Sequence, residues 1–237
     1  MIKKHIPNSI TCCNLISGCI ATACAFSGNH EMALVWIIIG AVFDFFDGMS
    51  ARLLHVSSPI GKELDSLADD VTFGVAPATI VFSELSVIDY PSSLEFLRGI
   101  LPYFAFIMAA FSALRLAKFN LDERQTTSFI GLPTPANALF WGSLIVGASD
   151  LIEATSWSLP IMMVMICVSS WLMVSEIPMF ALKFKQWGWK GNEVRYGFIL
   201  FSLILLILFR ITAFAMIIAC YFIVSVYLDL KKSPKNK

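Results

Sequence analysis

Long apolar runs alternate with short polar breaks along the whole chain. The runs occupy about 8–27, 32–54, 63–86, 99–119, 132–152, 157–175, 195–209 and 211–228. A helix needs roughly 20 residues to cross a hydrocarbon layer of about 30 Å, and most of these runs are near that length. Inside a bilayer every backbone polar group must be satisfied within the segment, so runs of this kind fold as helices. The pattern predicts an all-α, polytopic membrane bundle of about eight transmembrane helices. Arg210 interrupts the last apolar region, so 195–228 reads either as two spans or as one broken helix. Residues 1–230 form one transmembrane domain in this reading, and 231–237 a short basic tail. No internal repeat or low-complexity segment divides the chain.

Composition agrees. The 237 residues are 57% hydrophobic and 14% charged, with a mean hydropathy of +0.76, whereas soluble domains carry about 25% charged residues. A formal net charge of zero and the lack of a basic tract interleaved with aromatics argue against nucleic acid as a partner. The six cysteines lie in apolar runs without metal-ligand spacing, and read as buried, reduced packing residues. Lys3 and Lys4 before the first run imitate a secretory leader. Pro7, Asn8, Thr11 and Asn14 are polar groups that a leader avoids, so the run reads as a retained span. With the N-terminus inside, all of the 17 Lys and Arg except Arg98 and Arg210 fall on the inner side. That bias and an even number of spans predict cytoplasmic termini, and the expected location is the cell (inner) membrane.

Against this apolar background stands a run of acidic residues: Asp44, Asp47, Asp65 and Asp69. On a helix, Asp44, Asp47, Gly48, Ala51 and Arg52 fall within an arc of roughly 140°. Gly61, Asp65 and Asp69 share a second arc of roughly 80°, and Asp70 is rotated about 100° away from it. Two facing helices would therefore gather four carboxylates around one volume. The flanks, 33–42 and 71–82, are apolar, which opposes a solvated helix face. A single intramembrane Asp costs about 2.5–3.5 kcal/mol on insertion scales, so the cluster calls for cations. Oxygen-only donors suit hard divalent ions, and two ions can share four carboxylates. Gly48, Ala51 and Gly61 leave the helix faces bare for a bulky ligand. Arg52 offers a planar donor fork suited to phosphate.

The spacing Asp-x2-Asp-Gly-x2-Ala-Arg-x8-Gly-x3-Asp-x3-Asp, running from Asp44 to Asp69, resembles the signature of the CDP-alcohol phosphotransferases with every position filled. Eight fixed positions at roughly 6% each give a chance frequency on the order of 10⁻¹⁰ per starting point. Three further strings resemble the phosphatidylserine synthase branch: Phe73 to Ala78, Arg115 to Asn120 with Phe129 to Ala136, and Met173 to Pro178 with Leu182 to Lys185. Trp187, Trp189 and the nearby lysines read as an interfacial belt.

The resemblance implies transfer of a phosphatidyl group from CDP-diacylglycerol to the hydroxyl of L-serine, giving phosphatidylserine and CMP. It implies two divalent ions, Mg²⁺ or Mn²⁺, held by Asp44, Asp47, Asp65 and Asp69, with Asp69 as general base. The CDP moiety is assigned to Asn8, Thr11, Asp44, Gly48, Ala51, Arg52 and Gly61, with Asn14 behind Asn8 and Thr11. The acceptor or lipid phosphate is assigned to Thr72, Arg115, Lys118 and Asn120. Charged residues at an inner helix end also serve as topology anchors, and Lys118 and Arg124 have that reading too. A homodimer in the lipid bilayer is the expected assembly. Glycerol 3-phosphate or an inositol phosphate is the alternative acceptor. A divalent-cation transporter is the reading from another class, because acidic residues inside membrane helices also mark ion paths.

Overall fold

The computed structural model describes residues 5–56, 58–122, 130–155, 157–179, 188–189 and 192–232. Lys3, Lys4, Arg124, Phe129, 182–185, Trp187 and 233–237 lie outside the described residues. Nine α-helices are described: α1 His5–Phe26, α2 His30–Leu53, α3 Pro59–Asp69, α4 Ala76–Val87, α5 Ile107–Leu121, α6 Thr134–Glu153, α7 Ser158–Val174, α8 Glu193–Phe209 and α9 Ala213–Lys232. Each of the eight apolar runs contains helix. Five helical segments among the described residues are long and apolar enough to cross a membrane.

Local chemistry sets the helix ends. Asn29 caps α2, its side-chain oxygen accepting from the Met32 N–H at 3.1 Å. Ser58 does the same for α3, accepting from the Gly61 N–H at 3.0 Å, with Pro59 in the first turn. A π-helical segment, Asp70–Val75, joins α3 to α4, and the Ala76 N–H donates to the Val71 carbonyl five residues back. Pro77 cannot donate to the carbonyl of Phe73, and Gly74 resists little, so the α-helical ladder widens here.

The last apolar region makes two helices. Arg210 breaks it with φ +50°, followed by a single 3₁₀ turn, Arg210–Thr212. The rings of Phe198 and Tyr221 lie 6.0 Å apart between centroids, whereas a straight helix would separate these positions by about 34 Å. So α8 and α9 fold back as a hairpin.

Small residues set the packing, as expected where lipid tails are as apolar as the side chains. Ala21, Ala25 and Ala33 are fully buried at helix contacts, while Ile207 and Leu208 on α8 face outward. The antiparallel pair α1 and α2 makes the most extensive contact. Where both meet the π segment, a Cβ added to Gly18 would collide with Thr72, and one added to Gly40 would lie 2.5 Å from Thr72 Cγ2. At the other end half-buried His30 approaches buried Glu84 to 3.6 Å, linking α2 to α4. Among the described residues the six cysteines are free, with Cys12, Cys19 and Cys167 exposed and the other three half-buried rather than buried. In a membrane bundle the outer helix faces are themselves apolar positions, so an apolar run does not by itself mean burial.

The glycine contacts generate a test. Gly40→Leu should lower the thermal stability of the detergent-solubilised protein by about 1–3 kcal/mol, the usual cost of overpacking. An unchanged melting temperature would mean that Thr72 is not clamped as described.

Candidate functional site

Three helices converge at one end of the bundle: the start of α1, the last half of α2 and the body of α3. Asp44 and Asp47 from α2 meet Asp65 from α3, and one ligand atom from each lies within 4.8 Å of the others. Asp69, one turn beyond Asp65, feels the charge of all three but stands outside that group. Its Oδ1 accepts a hydrogen bond from Asn14 Nδ2 at 3.0 Å. Asp47 is buried, and its Oδ2 accepts from Thr11 Oγ1 at 2.6 Å. Among the described residues Asp65 Oδ1 is buried without a hydrogen-bond donor. An orphaned carboxylate oxygen within an all-oxygen donor set fits a hard divalent cation. Asp70, on the π segment, turns away and faces Ser112 of α5, as the helical register predicts.

A cavity of about 300 Å³ opens beside this group. Asn8, Thr11, Gly48, Ala51 and Gly61 line it, together with Asp47 and Asp65. A Cβ on Gly48 would meet nothing within 4 Å, so this glycine faces open space. Gly61 differs: its added Cβ would lie 3.0 Å from Asn8 Oδ1, so the small residue there admits α1 rather than a ligand. Asp44 belongs to the carboxylate group and is not part of the cavity lining. Arg52 is exposed in the last turn of α2, also outside that lining.

The residues assigned to the acceptor separate into distinct roles. Arg115 is buried beside a second cavity of about 350 Å³ and senses the charge of Asp69. Its Nη1 reaches Thr134 Oγ1 at 3.4 Å, and among the described residues its Nε has no acceptor. Lys118 lines the same cavity, donates to the Val174 carbonyl at 3.1 Å, and pairs with Glu176 at 3.7 Å. Asn120 donates to Ser66 Oγ at 2.8 Å, which ties α5 to α3. Thr72 is fully buried between helices and donates to the main-chain carbonyl of Asn14 at 3.1 Å. On an unbroken α-helix Thr72 would share an arc with Asp65, and the π segment alters that register.

One contributor escaped the sequence reading, and another, Asn14, has a different role from the nucleotide contact expected of it. Lys62 lines the cavity of about 300 Å³ and donates to the Asn120 carbonyl at 2.8 Å; it falls in a variable position of the motif, where nothing marks it. Asn14 reaches a carboxylate rather than the cavity, and its three-residue spacing from Thr11 was the available signal.

A family model described as CDP-alcohol phosphatidyltransferase matches residues 4–174. The chain is 38% identical over 174 residues to a CDP-diacylglycerol–serine O-phosphatidyltransferase of Bacillus subtilis (strain 168), covering 73% of this chain and 89% of that protein. It is 30% identical over 192 residues to the Mycobacterium leprae protein of the same name, covering 73% of this chain and 57% of the relative. Against the Methanocaldococcus jannaschii protein of that name it is 36% identical over 155 residues, 65% of each chain. The match thus spans most of the first relative and less than two thirds of the other two.

The carboxylate geometry predicts a binding result that needs no turnover. Asp47→Asn or Asp65→Asn should weaken Mn²⁺ binding to the detergent-purified protein at least tenfold by calorimetry, while Asp70→Asn leaves it unchanged. Equal loss in all three variants would remove the distinction drawn between the faces.

Proposed function

The chain belongs to the CDP-alcohol phosphatidyltransferase family, and on that premise we propose that it transfers the phosphatidyl group of CDP-diacylglycerol to L-serine, releasing CMP. The observation that carries this reading is the cavity of about 300 Å³ lined by the small residues of the acidic motif, with Asp47 and Asp65 in its wall. The names of the relatives support serine as the acceptor.

Asp44, Asp47 and Asp65, joined by Asp69, are the residues that would hold two divalent ions, Mg²⁺ or Mn²⁺. When bound, such ions neutralise pyrophosphate charge and make phosphorus more electrophilic. Asn8, Thr11, Gly48 and Ala51 hold the CDP moiety in the cavity, with Gly61 letting α1 approach. Arg52, exposed at the end of α2, reaches for a phosphate from outside the lining. The serine hydroxyl is a weak nucleophile at neutral pH and needs a base within hydrogen-bond reach. Asp69 takes that proton as the serine oxygen bonds to the phosphatidyl phosphorus. The bond from that phosphorus to the CMP oxygen breaks, and CMP leaves with the electron pair. Arg115 and Lys118, beside the second cavity, are the cations left for the acceptor side. Asn120 and Thr72 serve by fixing the helices.

The acyl chains stay in the bilayer, so the donor arrives from the side. The reading also carries a single domain over 1–230, a site on the cytoplasmic face of the inner membrane, and a homodimer, as expected of the family.

The test is detergent-purified protein with CDP-diacylglycerol, offered serine, glycerol 3-phosphate and inositol phosphates in turn. Phosphatidylserine and CMP should form with serine, and a chelator should abolish both. Preference for a phosphorylated acceptor would overturn the serine assignment, and turnover without metal would overturn the role of the carboxylates. Within the same assay Asp69→Asn should lose activity by 10²–10⁴-fold or more, the usual range for removing a general base. Asp70→Asn should stay within about tenfold, since its carboxylate faces Ser112. The reverse ranking would show that the base is misassigned.

A further inference from the structure

We propose that Asn14 is the positioning residue for Asp69, so that α1 orients one carboxylate on each of the two acidic helices. This deepens the phosphatidyl-transfer reading and rests on it. Thr11 and Asn14 are three residues apart on α1, on one face and about 4.5 Å along its axis. Thr11 Oγ1 donates to Asp47 Oδ2 at 2.6 Å on α2, and Asn14 Nδ2 donates to Asp69 Oδ1 at 3.0 Å on α3. The helix thus spans both acidic helices with one donor for each.

Three features make Asn14 a fixed donor rather than a ligand contact. It is fully buried and takes no part in lining the cavity of about 300 Å³. Its main-chain carbonyl accepts from Thr72 Oγ1 at 3.1 Å, which locks its height on the bundle. Its Oδ1 would lie 3.0 Å from a Cβ placed on Gly40, so the side chain is confined by the neighbouring helix. Its Oδ1 also lacks a donor among the described residues. A group that is to take a proton must present an acceptor; here the NH₂ end of the amide meets Asp69 and the carbonyl end is left without a donor among those residues. Here one end is sacrificed to aim the other. With Oδ1 engaged, Asp69 turns its second oxygen to the acceptor hydroxyl, and nothing else among the described residues donates to it.

The experiment compares Asn14→Leu, Asn14→Gln and the unaltered full chain in detergent. In each, turnover with CDP-diacylglycerol and serine is measured alongside Mn²⁺-dependent CMP binding by calorimetry. Partner residues of this kind typically contribute 10–100-fold. Asn14→Leu should therefore lower kcat by 10–100-fold, with KM for both substrates within threefold and CMP binding unchanged. Asn14→Gln, which keeps the amide donor, should recover part of the lost kcat. A rise in KM with kcat unchanged would overturn the proposal by making Asn14 a substrate contact. Loss of CMP binding in step with kcat would overturn it by making the residue structural. If Asn14→Leu does not fold, Asn14→Gln decides alone: kcat below the unaltered protein with KM and CMP binding preserved supports the proposal, and unaltered kcat or an altered KM or CMP affinity overturns it. Failure of the unaltered protein to make phosphatidylserine would count against the serine reading instead, and the same kcat comparison would be run with whichever acceptor releases CMP.

Discussion

Like charges crowded at the end of an apolar bundle are the constraint on which the rest of this structure depends. Asp44, Asp47 and Asp65 bring oxygens within 4.8 Å of one another. Two unit charges at that distance repel by roughly 3 kcal/mol at an effective dielectric of 20. Three such pairs approach the whole stability of a domain, which is about 5–15 kcal/mol. An isolated bundle would relieve that strain by letting α2 and α3 splay. It is prevented from doing so by packing that leaves the helices little freedom, and a bound cation removes the repulsion itself.

The packing that resists splaying is concentrated around Thr72. Glycines on α1 and α2 meet the π segment there, and each is too close for any side chain. The hydroxyl of Thr72 then ties the segment to the α1 backbone at Asn14. On the other flank Asn120 and Lys62 connect α5 to α3 through Ser66 and the Asn120 carbonyl. The acidic helices are thus held by hydrogen bonds between small or short side chains. In lipid these matter more than apolar contact, because burying a Leu gains little when the surroundings are also hydrocarbon.

That difference explains what could be read from the chain and what could not. Helix positions were legible because the apolar runs obey the length of a bilayer span. The cavity wall was legible because Gly48, Ala51, Gly61, Asp47 and Asp65 lie at fixed helical spacings, and each helix preserves its own register. Contacts between helices were not. Thr72 shares an arc with Asp65 only if the α-helix continues, and the widening at Asp70–Val75 breaks that premise. Asn120 and Lys118 carry polar groups at a helix end, which the sequence alone cannot divide between ligand contact and helix tie. The hairpin at Arg210 was equally ambiguous, since a basic residue between apolar runs ends a helix or merely interrupts it. Its positive φ decides that locally, and the approach of Phe198 to Tyr221 decides it globally.

The direction of the helices completes the electrostatics. The cavity is bounded by the first turns of α1 and α3, through Pro7, Asn8, Ser58 and Gly61, and by the last turns of α2, through Gly48 and Ala51. Helix N-termini carry about half a positive charge and favour anions, whereas C-termini favour cations. Two ends of the first kind therefore face one of the second across the same space. The carboxylates of α2 stand on the side that already favours cations. The beginnings of α1 and α3 stand where an anion gains most. A phosphate group paired with divalent ions carries both signs, and a cavity of this polarity accommodates both. The chain direction of the three helices, set by the short turns between them, thus gives the cavity a polarity that its side chains add to.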